Sequence, residues 1–129
     1  MAGSLRTPLS RVRGLGSAKD GVLHFLHQRV SAIGLAILLP WFALSIILGT
    51  DGSYREVSLW LTSPLNAAGT FLLVAAAFYH ARLGNQVFIE DYLHKPVTKA
   101  VVLLLNTFIP AALVVLAGFS ILRIFTTGA

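Results

Sequence analysis

The chain contains no cysteine. That excludes disulfides, thiolate nucleophiles, iron–sulfur ligation by this chain and zinc sites built on sulfur. Charge is scarce as well: 12% of the 129 residues are charged, against about 25% in an ordinary soluble domain. Acids are scarcest, five against ten Lys and Arg. No internal repeat and no low-complexity tract is visible. The N-terminus does not read as a secretory signal, because its basic stretch is long, holds Pro8 and three glycines, and leads into too long an apolar helix.

What is present is apolar, at 56% of residues. A chain this short has no core large enough to hide that surface, so lipid must cover part of it. The length suits one domain. The net charge of +5 would suit nucleic acid, but the basic residues flank apolar runs, where they report topology instead.

The pattern predicts an all-α membrane protein with a cytoplasmic basic arm over residues 1–20 and a three-helix anchor over 21–129. The spans fall at about 25–49, 64–89 and 100–124. Val30 to Gly49 is a run of 20 uncharged residues, roughly 30 Å of helix and enough for a hydrocarbon core. Pro40 lies inside it and should kink it. Residues 50–63 read as a polar connection in which Ser58–Leu61 lies along the membrane surface, with Tyr54 and Trp60 in the aromatic belt. Residues 90–99 read as the second loop. The arm through Arg29 and this loop carry seven basic residues, against Arg55 and Arg123 on the other side. The N-terminus is therefore expected in the cytoplasm, or in the matrix of a mitochondrion.

Chemistry concentrates between Ala75 and Pro96. His80 stands inside the second span, where an ionisable group is costly and marks a functional site. Ala76, Ala77 and Gly84 share its helix face and leave a strip almost without bulk. A flat macrocycle standing against the helix and taking an axial nitrogen needs such a strip. A hydrogen bond from His80 to a neighbouring helix is an equal alternative. One histidine supplies one axial ligand, so a second would come from another chain. Arg29 suits either interfacial snorkelling or pairing with a haem propionate. His24 and His27 are too few for a metal site and suit interfacial roles or bonds to an acidic group. Gln86, Glu90, Asp91, Tyr92, His94 and Lys95 form a polar knot about 18 Å beyond His80 at its far end. There the Tyr92 phenol suits either the aromatic belt or a quinone carbonyl, with Asp91 orienting it or relaying protons.

RVRGLGSAK over Arg11–Lys19, GVLHFLHQRVSAIGL over Gly21–Leu35, His80 with Gly84 four residues on, and Asp91–Tyr92 together resemble the small membrane-anchor subunit of succinate dehydrogenase, the respiratory complex II. The resemblance covers roughly residues 11–96 and leans toward alphaproteobacterial and mitochondrial forms. It implies a four-subunit complex with a flavoprotein, an iron–sulfur protein and a second anchor, serving the respiratory chain and the tricarboxylic acid cycle. It implies His80 as a haem b ligand, Arg29, His24 and Gly84 in the haem's vicinity, and Tyr92 with Asp91 at ubiquinone. The chain would not be catalytic by itself. The expected place is a bacterial inner membrane or, alternatively, the mitochondrial one. The competing readings are a haem-free structural anchor, a transporter subunit and the anchor of a quinol:fumarate reductase.

Overall fold

The computed structural model describes residues 20–128 together with Thr7 and Leu9. The basic residues of the expected arm, Arg6, Arg11, Arg13 and Lys19, lie outside the described residues. Among the described residues there are helices and no strand: α1 over Asp20–Gly49, α2 over Tyr54–Leu61, α3 over Pro64–Tyr92 and α4 over Pro96–Thr127.

α3 is the middle of the molecule, packed on α1 along one side and on α4 along the other. The buried hydrophobic residues, Ala67, Leu73, Leu83 and Ile89, all belong to it. The outer helices leave large apolar side chains bare, with Ile37 on α1 66% exposed and Phe119 on α4 67% exposed. Surface of that kind requires a hydrocarbon or protein surround.

α1 from Gly21 and α4 are each long and apolar enough to cross a membrane alone. α3 reaches that apolarity only together with α2, from which it is bent by 98°. The reason is its polar load of His80, Arg82, Asn85 and Gln86. Two helices thus qualify as spans alone and a third when α2 and α3 are taken together, consistent with the three expected. The near right angle lays α2 along the membrane surface when α3 crosses it.

α2 is a true helix where a polar connection was expected. Ser53 caps it, accepting a bond from the Glu56 amide at 3.3 Å. The Ser-x-x-Glu spacing is that of a capping box. Before it, Gly52 adopts a φ of 79°, which favours glycine. The Ser53 amide donates to Asp51 Oδ1 at 2.8 Å. Bonds from the Ser53 side chain and backbone hold the Asp51 carboxyl below its ordinary pKa.

Small residues set the close approaches. A Cβ on Gly69 of α3 would run into the Trp41 ring of α1, and one on Gly118 of α4 would come within 2.9 Å of Phe71. Trp41 in turn packs at 6.1 Å from Trp60, whose carbonyl accepts from Asn66 Nδ2 at 2.9 Å. Pro40 sits inside an uninterrupted α1. At the opposite end, the expected loop over 90–99 shrinks to Leu93–Lys95. α3 stays helical through Tyr92, and Pro96 opens α4 at a first-turn position that needs no N–H. Lys99 Nζ donates to the Glu90 carbonyl at 3.0 Å and ties the corner.

Candidate functional site

His80 faces α1. Its Nδ1 lies 3.0 Å from Ser31 Oγ, and the same hydroxyl donates to the Gln28 carbonyl at 3.0 Å. Ser31 is only 9% exposed. A serine hydroxyl has one proton and two lone pairs. A hydroxyl whose proton goes to Gln28 leaves an oxygen that accepts from His80 when the ring hydrogen is on Nδ1. In the neutral tautomer of that arrangement Nε2 keeps its lone pair. Among the described residues Nε2 has no partner, and it is not enclosed. The expected alternative, a histidine bonded to a neighbouring helix, is therefore realised at one nitrogen and leaves the other over.

Around it the strip is open as expected. Ala76 and Ala77 are half-buried, and a Cβ on Gly84 would meet nothing within 4 Å. His24, two helical turns before Ser31 on the same face of α1, is half-buried with an enclosed, unpartnered Nε2. Thr70 Oγ1 is the other such atom among the described residues. His27 Nδ1 lies 3.0 Å from the Tyr79 hydroxyl, a second bond across the α1–α3 seam. Arg29 is two residues from Ser31, about 200° around α1. It is exposed, with its guanidinium 5.1 Å from the centre of the Phe25 ring. The chain itself does not bring Arg29 to His80.

Arg82 turns to α4. Its Nε donates to Thr107 Oγ1 at 3.3 Å, and its carbonyl accepts from Asn106 Nδ2 at 2.9 Å. Tyr92 also belongs to the α4 side. The 12 residues from His80 advance the chain about 18 Å and turn it about 120°. Tyr92 is 68% exposed and stacks on Phe88 at 4.6 Å. Both line a cavity of about 480 Å³ between α3 and α4, with Asn85, Asn106 and Pro110. Asp91 is exposed beside it. His80 and Tyr92 thus open on different sides of α3.

Sequence reasoning missed Ser31, the His27–Tyr79 pair and the two asparagines at the Tyr92 cavity. A signal existed for Ser31: it lies seven residues after His24 and three after Gln28, on one helix face. Among the described residues no group of three or more His, Cys, Asp or Glu could hold a metal ion. A single axial nitrogen needs no such group, and the free Nε2 of His80 has the chemistry a haem iron takes.

Three helices crossing a bilayer, the middle one carrying the polar groups, define a small multi-pass membrane subunit. The chain belongs to the succinate dehydrogenase/fumarate reductase transmembrane subunit family, whose profile matches residues 3–122. The chain is 36% identical over 94 residues to the succinate dehydrogenase hydrophobic membrane anchor subunit of Rickettsia bellii, covering 72% of this chain and 74% of that one. The same subunit of Rickettsia conorii is 33% identical over 72% of this chain and 75% of its own. That of Paracoccus denitrificans is 30% identical over 75% of each. No solved structure matches the chain significantly. The resemblance carried by the His80, Gly84 and Asp91–Tyr92 segments is borne out at the level of the family.

Proposed function

We propose that the chain is a membrane anchor of succinate:quinone oxidoreductase that gives His80 to haem b and Tyr92 to ubiquinone. It would sit beside a second anchor and under the iron–sulfur and flavoprotein subunits. The single observation that carries the reading is the half-satisfied His80, whose Nδ1 is occupied by Ser31 while Nε2 keeps an open lone pair. Haem b, when bound, supplies one-electron redox chemistry. The residues of this chain would do the rest. His80 would hold the haem iron through Nε2, and Ala76, Ala77 and Gly84 would keep the face beside it clear. His24 shares the Ser31 face of α1, while Arg29 lies about 200° around it with an exposed guanidinium that would meet a propionate.

At the other end, the Tyr92 hydroxyl has no partner within the described residues and stands at a cavity of about 480 Å³, inside the usual range for small-molecule sites. A phenol donates one hydrogen bond to a quinone carbonyl and holds the headgroup in place. Asp91, exposed next to it, holds or moves a proton at its carboxylate. The seven-to-two excess of basic residues supports a cytoplasmic side for this end and the N-terminus in a bacterial inner membrane, or a matrix side in a mitochondrion.

The direct test is His80→Leu in the intact complex. The b-type absorption of the reduced-minus-oxidised spectrum is expected to be lost or severely reduced while the subunits still co-purify. Unchanged haem content would refute the ligand assignment.

A further inference from the structure

We infer that Ser31 is the positioning residue for His80, fixing its tautomer and ring plane and tuning the donor strength of Nε2. The inference rests on the haem reading above. Three observations carry it. Ser31 Oγ is 3.0 Å from Nδ1. Its hydroxyl also donates to the Gln28 carbonyl at 3.0 Å, which leaves the oxygen free to accept from the ring. The serine is 9% exposed, so few other groups can reach that oxygen.

The physical consequence is directional. An imidazole that donates its Nδ1–H to an oxygen has a more basic Nε2, and a fixed outer partner of this kind holds the ligand in one orientation. A stronger donor favours the ferric over the ferrous state and so lowers the reduction potential. The bond also bridges α1 and α3 across 49 residues of sequence. Gln28 acts through Ser31: its backbone carbonyl, which no side-chain substitution removes, decides which way the serine proton points.

The test uses the intact complex in mild detergent, comparing the natural chain with Ser31→Ala and Ser31→Thr. Ser31→Ala is expected to raise the haem midpoint potential, change the low-spin electron paramagnetic resonance signal and lose haem about 10-fold faster. Ser31→Thr restores the hydroxyl and should return all three toward the natural values. Should Ser31→Ala not assemble, Ser31→Cys, close in size with only a weak acceptor, is expected to move the potential in the same direction by less. A potential and signal unchanged in Ser31→Ala, with His80→Leu still losing haem, would overturn the inference and leave the haem reading standing. Haem retained in His80→Leu, or absent from the natural complex, would overturn both.

Discussion

The two seams of α3 treat polarity differently. Toward α4, side-chain bonds run to fixed partners: Arg82 Nε to Thr107, Asn106 to the Arg82 carbonyl, and Thr107 back to the Leu103 carbonyl. These bonds set position. Toward α1, Ser31 uses up one nitrogen of His80 and leaves the second, and His24 Nε2 is enclosed with nothing to bond. Polar groups inside a bilayer are costly unless partnered. The α4 seam is thus pinned by the chain's own bonds around Arg82 and opens at the Tyr92 cavity, whereas the α1 seam keeps, among the described residues, an unpartnered nitrogen on each of His80 and His24. The lesson is that a leftover valence, more than the presence of a histidine, marks the site.

The comparison can be broken or sharpened by mutation, beginning beyond the His80 substitution. Tyr92→Phe removes one hydroxyl on the α4 side. Quinone reduction by the complex should slow about tenfold, the worth of one hydrogen bond of about 1.4 kcal/mol, while succinate-dependent reduction of a soluble dye holds. Equal loss in both assays would remove the quinone role. Gly69→Leu drives a side chain into the Trp41 ring and tests whether the α1–α3 seam depends on close approach. It should destabilise the complex by about 1–3 kcal/mol, read as a lower thermal midpoint with faster haem loss.

Thr107→Val cuts the α4-side bond to Arg82. The expected cost is about 0.5–1.5 kcal/mol, with the haem potential unmoved; a shift as large as that of Ser31→Ala would erase the distinction between the seams. The smallest effect belongs to Asp51, far from both. Its folded pKa is depressed by Ser53, so what it contributes is present above the ordinary carboxylate pKa and lost as pH falls through the folded value. Asp51→Asn should therefore lower the thermal midpoint slightly at neutral pH, and the difference should vanish in acid.

How much of this was readable beforehand differs by residue. His80, its clear strip of Ala76, Ala77 and Gly84, and the 18 Å to Tyr92 follow from helical periodicity alone. Ser31 carries only the weak signal of its spacing from His24 and Gln28, because α1 is apolar nearly all round and offers no amphipathic stripe to say which face meets α3. The same gap hid Asn85 and Asn106, which meet at a cavity only once α4 folds back. The polar composition of 90–99 reads as irregular backbone, yet only Leu93–Lys95 leave the helix. A helix that passes out of the hydrocarbon layer turns polar without ending, and Glu90–Tyr92 do just that. α2 was legible in principle: Ser53 and Glu56 stand at capping-box spacing, but a short polar stretch between two spans invites reading as a turn.

The decisive observation is the redox difference spectrum of whatever co-purifies with the unmodified chain in mild detergent. A complex holding a flavoprotein, an iron–sulfur protein and a second anchor, with a b-type haem band that reduces with succinate, is the expected result. A chain recovered without those partners, or a complete complex with no b-type band, would contradict it.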